Sequence, residues 1–290
     1  MVKPLILLAS LAGMALAEYA VNVTHFECSS QGSEDVIKAH QELIKGGKGG
    51  SAAARAALEA RQNTPIAVDA YFHIVTSGGK AGQYANWQEM AKNQAAVLNK
   101  AYGSHGIGFT LKGSELTQND QWATGSDAAM AAMKKALRKG GYAALNVYFL
   151  SDMGNQLGVC TMPSSIGSNP TAATYQNDGC AVQAGTMPGG SVLGYNQGMT
   201  AVHETGHWMG LLHTFEGNSC DGPGDMIDDT RAESQSTDGC PAGKNSCPGV
   251  AGVDPIHNYM DYSIDSCYED FTAGQEARMK QLWAQFRQGK

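Results

Sequence analysis

His203-Glu-Thr-Gly-His207-Trp-Met-Gly210-Leu-Leu-His213 is the stretch that decides how this chain is read. His203 and His207 are four residues apart, so on a helix they stand on one face, one turn apart. Two imidazole nitrogens so placed reach one Zn²⁺ at about 2.0–2.1 Å. Glu204 lies beside them. It is not a ligand and is positioned to take a proton from a metal-bound water. Gly210 lets the chain leave the helix, because glycine alone enters positive φ without steric cost, and the turn returns His213 as a third ligand. Three protein ligands leave one position open for water, which marks a catalytic zinc site rather than a structural one. A short HExxH match recurs by chance on amphipathic helices. Five positions at fixed spacing reduce that chance to on the order of 10⁻⁵–10⁻⁴ for a chain of this size.

Asn258-Tyr-Met260-Asp-Tyr262 follows downstream. The long zinc motif with a later methionine turn is the pattern of metzincin peptidases. HETGHWMGLLHTFEG, then NYMDY, then FTAGQEARM at 271–279 resembles the pappalysin (M43) branch, especially its secreted fungal and bacterial members, over roughly residues 62–290. The tail after His213 argues against the astacin- and matrixin-like branches. The resemblance implies an α/β (α+β) metzincin fold: a twisted mixed sheet with backing helices, an active-site helix and an irregular C-terminal subdomain with the methionine turn. It implies a secreted zinc endopeptidase, with Met260 beneath the ligands and Tyr262 supporting the metal site and the transition state. From the residues alone, Tyr262 reads equally well as a packed core side chain.

The chain has 290 residues, 42% of them hydrophobic, enough for one substantial globular unit. With 27 Asp+Glu against 20 Lys+Arg the net charge is −7, and no basic run occurs, so nucleic acid is not an expected partner. The expected partners are protein and peptide substrates, met as a monomer. Lys3, an apolar run over residues 5–16 and Ala15-Leu-Ala17 read as a signal peptide, residues 1–17. The run is too short to span a bilayer, which needs about 20 residues. No other stretch comes close, so an exported, soluble protein is expected. Asn22-Val-Thr24 is a glycosylation sequon.

Export favours disulfides among Cys28, Cys160, Cys180, Cys220, Cys240, Cys247 and Cys267. Spacing alone does not choose the connectivity. The family resemblance implies Cys220–Cys247 and Cys240–Cys267, which leaves Cys160 with Cys180. The spacing lacks the paired C-x₂₋₄-C pattern of a structural metal site.

Residues 18–61 differ in character from the rest. Residues 34–45 have helical character, 46–51 read as a flexible glycine linker, and 52–61 are alanine-rich and helix-prone. They read as a short propeptide, cut between Lys48 and Pro65, ahead of a catalytic domain at 62–290. Cys28 is then the odd cysteine, with three readings open. It is free, it pairs elsewhere, or its thiolate fills the open zinc position until cleavage, as in zymogens of several metzincin branches. Its Phe-Glu-Cys-Ser setting departs from the glycine-bearing pattern of such switches.

From Pro65 the pattern becomes α/β. Strands are expected at 66–75, 107–111 and 145–150, with shorter ones at 158–161 and 180–184 near the cleft. Helices are expected at 86–102, at 126–139 capped by Ser126 and closed by Gly140-Gly141, and at 199–209. Residues 214–270 show little regular pattern. A last helix, 273–287, is capped by Thr272 and carries Met279, Leu282, Trp283 and Phe286 on its apolar face. In the irregular region, Asp225, Asp228, Asp229 and Thr230 offer oxygen ligands on a turning backbone. The resemblance implies structural Ca²⁺ there, against a plain solvated acidic loop. His73 reads as structural, and His257 as a packing or hydrogen-bonding residue near the methionine turn. A different class of function is a catalytically silent secreted adhesion or toxin-like module on the same fold. Such a descendant tends to lose Glu204 or a ligand, and none is missing. No serine-hydrolase, phosphate-loop or dinucleotide motif occurs.

Overall fold

The structure, a computed structural model, describes residues 26, 28–30, 32–49, 64–166 and 173–290. The signal segment, Asn22, His25 and residues 52–61 lie outside the described residues.

β-Branched and aromatic residues at alternating positions build the sheet. Its strands are β1 (Ile66–Thr76), β2 (Ile107–Gln118), β3 (Leu145–Leu150), β4 (Gly158–Cys160) and β5 (Cys180–Gln183), in the order β2-β1-β3-β5-β4. The first four in that order run parallel, and β4 is an antiparallel edge. The expected mixed sheet is therefore present. Strand β3 lies at its centre, and all six of its residues are buried. Leu145, Val147 and Phe149 face the larger core, while Tyr148 and Leu150 face a smaller one with Met133 and Met153. This is the two-residue alternation of a strand covered on both sides.

The helices are α1 (Glu34–Gly49), α2 (Trp87–Gly103), α3 (Asp127–Leu137), the single turn α4 (Ala173–Gln176), α5 (Met199–Trp208) and α6 (Ala273–Leu282). Among the described residues no helix is long and apolar enough to cross a membrane. Helix α2 supplies Met90, Ala91, Leu98 and Tyr102 to the larger core. It holds α5 through Tyr102 Oη, which donates to the Val202 carbonyl at 2.8 Å, and Gln94 Nε2, which donates to the Gly198 carbonyl at 2.9 Å.

Four expectations need correction. Strand β2 runs on to Gln118, seven residues past its expected end, because its second half pairs with β1 beyond a bulge at Ala70/Tyr71 while its own side chains stay largely polar. Helix α1 continues through Gly49, so the first four residues of the expected linker are helical. Ser126 occupies the N-cap position of α3 without a side-chain hydrogen bond, and that helix ends at Leu137, short of the glycines. The last helix stops at Leu282 and passes into one wider turn over Trp283–Arg287. Its predicted cap is present in full: Thr272 Oγ1 accepts from the Gln275 amide, and the Gln275 side chain accepts from the Thr272 amide.

The disulfides are Cys160–Cys180, Cys220–Cys247 and Cys240–Cys267, with Cys28 free. Cys160–Cys180 joins directly opposed residues of β4 and β5. The other two tie down the irregular stretch between α5 and α6, where hydrogen-bonded ladders are absent.

Candidate active site

Helix α5 begins after Gly198, whose φ is +90°. The buried carboxylate of Asp265 receives the Gln197 amide at 2.7 Å and the Met199 amide at 3.4 Å, anchoring the start of the helix. One turn on, His203 and His207 project from one face, as their spacing requires. Gly210 has a φ of +98°, and a Cβ there would lie 2.4 Å from Leu282 Cδ1, so both conformation and space demand glycine. The reversal brings His213 in. The Nε2 atom of His207 lies 3.0 Å from Nε2 of His203 and 3.0 Å from Nε2 of His213.

The far ring nitrogens set the protonation. His203 Nδ1 donates to the Tyr259 carbonyl at 2.8 Å, and His207 Nδ1 donates to the Leu211 carbonyl at 2.8 Å. That leaves the Nε2 lone pairs pointing at each other. Burial, and after it the neighbouring His213, hold both imidazoles well below their ordinary range, so they are neutral. Buried lone pairs facing one another at this separation repel unless a cation lies between them. The donor set therefore fits a zinc ion, which His203, His207 and His213 would hold.

Glu204 is fully buried beside the histidines, and burial pushes its carboxyl up to about 8. Its Oε2 accepts from Ser30 Oγ at 3.0 Å. The carboxylate lies against the backbone of β4: a Cβ on Gly158 would sit 2.2 Å from Glu204 Oε1. Gly206, between the first two histidines, has a similar function, since a Cβ there would sit 2.4 Å from Met260 Sδ. The methionine turn thus lies directly under the zinc helix. It is linked to α6 through Asn258, which donates to Gln275 Oε1 at 2.7 Å and accepts from Gln275 Nε2 at 2.9 Å. The three sequence blocks that carry the family resemblance are in this way one connected structure.

Tyr262 is at the site, with its hydroxyl 3.3 Å from His213 Nε2. The same hydroxyl donates to the Cys28 carbonyl at 2.9 Å and accepts from the Cys28 amide at 3.3 Å. Cys28 Sγ joins the ligand atoms of His203, His207 and His213, all within 4.8 Å of one another. Residues 28–30 lie along β4: Cys28 bridges Gly158 in parallel, the Ser29 amide donates to the Gly158 carbonyl at 3.3 Å, and Ser30 Oγ accepts from the Cys160 amide at 2.7 Å. Sequence reasoning missed Ser30, Gly158 and Gly206. Only the glycines carried a signal, as single glycines in a strand and in a helix where alanine is the better former.

The four acidic-loop residues do not act as one group. Asp225 is buried, accepts the Ile227 amide at 3.0 Å through Oδ1, and has no partner on Oδ2; burial pushes it up to about 7. Thr230 Oγ1 is likewise buried, beside the Asp225 carboxyl. Asp229 instead holds the start of α6, accepting from Thr272 Oγ1 and the Gly274 amide, each at 2.8 Å, while Asp228 is exposed. His73 lies between Glu115 and Asn146 at 2.7 and 3.0 Å, a structural histidine as expected. His257 Nδ1 donates to the Cys267 carbonyl at 2.6 Å outside the zinc site.

The sequence profile of the Peptidase_M43 family, described as pregnancy-associated plasma protein-A, matches residues 140–284. An extracellular metalloprotease of Pyricularia oryzae is 46% identical over 285 residues, covering 98% of this chain and 97% of its own. Extracellular metalloprotease 1 of Coccidioides posadasii is 45% identical over 281 residues, covering 97% of each chain. Among solved structures, a point mutant of Tannerella forsythia promirolysin shares the fold, with a TM-score of 0.66 at 22% identity over 88% of this chain and 93% of that one. Mature mirolysin of the same organism, in complex with a cleaved peptide, superposes with a TM-score of 0.63 at 25% identity over 76% of this chain and 92% of its own.

Proposed function

This chain belongs to the M43 (pappalysin) family of metalloproteases, and from that premise we propose a secreted zymogen whose zinc site cleaves internal peptide bonds with a water activated by Glu204. The observation that carries the reading is the convergence of three imidazoles, two of them held neutral by burial, with the unligated Glu204 carboxyl beside them. His203, His207 and His213 would hold a zinc ion, which would supply Lewis acidity to the scissile carbonyl and lower the pKa of a water towards about 7. Glu204 receives the proton of the attacking water and delivers it to the leaving amine. Its Oε2 becomes available once Ser30 departs. The Tyr262 hydroxyl, freed from the Cys28 backbone, donates to the developing oxyanion. The edge of β4, freed from residues 28–30, pairs with extended substrate.

Residues 1–17 act in this reading as the signal peptide, 18–61 as the pro-segment and 62–290 as the mature enzyme, a monomer with a glycan at Asn22 until processing. Export agrees with the names of the relatives, which are called extracellular. Cys28 is the latch. Its sulfur is grouped with the three ligand nitrogens, and the other six cysteines pair among themselves. Helix α1 adds a second anchorage, with Val36 against Met162 and Leu212, and His40 Nε2 donating to the Gly210 carbonyl at 2.9 Å. The pro-form of the structural relative also aligns over more of this chain than its mature form does. Uncut wild type should leave gelatin intact, uncut Cys28→Ala should digest it at least about tenfold faster, and both should digest it equally after the pro-segment is removed. A silent uncut Cys28→Ala would reject the latch. Silence of the processed wild type would reject the peptidase reading.

A structural calcium is a further part of the reading, built on the buried side-chain oxygens of Asp225 and Thr230. Calcium should then raise the Tm of wild type and leave that of Asp225→Asn unchanged; a wild type indifferent to calcium sinks the idea.

A further inference from the structure

Among the described residues, a second group of metal-binding side chains comes together away from the catalytic histidines. It consists of Cys240, His257 and Cys267, whose ligand atoms lie within 4.8 Å of one another. In the oxidised chain Cys240 and Cys267 form a disulfide, and disulfide sulfurs are not zinc donors. His257 Nδ1 lies 3.7 Å from Cys267 Sγ and 3.6 Å from Glu269 Oε1. With Zn–S near 2.3 Å and Zn–N and Zn–O near 2.0–2.1 Å, two ligand atoms on one tetrahedral zinc stand roughly 3.3–3.6 Å apart. The imidazole, the carboxylate and the Cys267 sulfur are therefore already spaced close to co-ligand distances.

Backbone hydrogen bonds hold these positions independently of the disulfide. The Glu269 amide donates to the His257 carbonyl at 2.8 Å, and the Tyr259 amide to the Asp270 carbonyl at 3.3 Å. The Ile264 amide donates to the Gly239 carbonyl at 3.1 Å, and the Cys267 amide to the Ile264 carbonyl at 2.9 Å, which keeps the two cysteines together. Cys240 is also the one exposed disulfide cysteine; Cys160, Cys180 and Cys247 are buried and Cys220 is half-buried. A dithiol reductant therefore reaches this bridge first. Its thiolate attacks Cys240 Sγ, and the S–S electron pair leaves on Cys267 Sγ, beside the His257 Nδ1 donor. The second thiol of the reductant then releases Cys240, so two electrons enter the protein and the reductant departs as its own disulfide.

We propose that reduction of the Cys240–Cys267 bridge creates a second zinc site, with the two thiolates and His257 as ligands and the Glu269 carboxylate as the fourth. Two soft thiolates with an imidazole favour zinc over calcium or magnesium. Nδ1 of His257, which now donates to the Cys267 carbonyl at 2.6 Å, exchanges that contact for the metal. The oxidised chain holds the loop before the methionine turn by a covalent bond, and the reduced chain holds it by zinc.

The test compares the full-length chain oxidised and reduced, so that Cys28 and the catalytic histidines contribute equally to both. A dithiol is applied and removed by gel filtration without oxygen, and the chain is titrated with Zn²⁺ alone or Co²⁺ alone. Alkylation read by mass spectrometry should mark Cys240 and Cys267 ahead of the other four bridged cysteines, with the fold retained by circular dichroism. Metal analysis should then give one more zinc per reduced chain than per oxidised chain, and Co²⁺ should show added thiolate-to-metal charge transfer. In reduced His257→Ala the added zinc should bind more than about 100-fold more weakly, beyond what a lost outer-shell contact costs. Equal zinc in both states, or an added zinc indifferent to His257→Ala, would overturn the proposal. So would labelling that begins at another bridge, or loss of the fold on reduction. None of these readouts uses peptide cleavage, so their failure leaves the peptidase reading untouched.

Discussion

Glu204→Ala should lower gelatin hydrolysis by processed enzyme by about 10³–10⁴-fold, equivalent to about 4–5.5 kcal/mol in the barrier, with zinc content unchanged. The ligand nitrogens come from His203, His207 and His213. Glu204 lies beside them, against Gly158 and Ser30, and supplies none of the grouped ligand atoms. Its removal therefore takes away the proton acceptor and leaves the donor set intact. The fold should tolerate the change, because a carboxyl pushed up to about 8 by burial gains little from its surroundings. Metal analysis and thermal melting on the same sample separate this outcome from collapse of the site. A mutant that digests gelatin at the wild-type rate would show that the proton is carried by another group.

Asp178→Ala should cost about 3–5 kcal/mol of stability and lower Tm by roughly 10 °C. Asp178 is fully buried and accepts Arg287 Nη2 at 2.8 Å, Arg287 Nη1 at 3.2 Å and Trp208 Nε1 at 3.2 Å, with Arg138 Nη1 also at 3.2 Å. Arg287 is equally buried, with its guanidinium 3.8 Å from the Trp208 ring and 4.5 Å from the Tyr142 ring. Removing the carboxylate leaves two buried guanidiniums without a counter-charge. Because Trp208 ends the zinc helix, the same loss frees the end of that helix. A denaturant series giving a change under about 1 kcal/mol would mean that water or another acceptor replaces Asp178.

Much of this was legible in the sequence because its causes are local. The helical repeat places His203 and His207 together, and glycine at 210 provides the turn that returns His213. A buried six-residue run, rich in strand formers apart from Asn146, fixes β3 at the centre of the sheet. The disulfides follow the family resemblance and are present as it implies. What escaped reading depends on contacts between distant positions. Gly158 and Glu204 touch only because β4 lies beside α5. Asp178 and Arg287 meet across 109 residues, and in sequence each looks like a solvated charge. Asp229 reads as a metal ligand until the start of α6 is seen to occupy it. The second half of β2 escaped because an edge strand with largely polar, outward side chains lacks the apolar alternation that marks a half-buried one.

The measurement that bears most directly on the central claim is gelatin hydrolysis by processed wild type before and after stripping with a zinc chelator, then on return of zinc. The account predicts full loss on chelation and recovery with zinc, with the fold retained throughout by circular dichroism. Cleavage that persists in the stripped, folded enzyme would contradict it, because His203, His207 and His213 would then have no part in the chemistry.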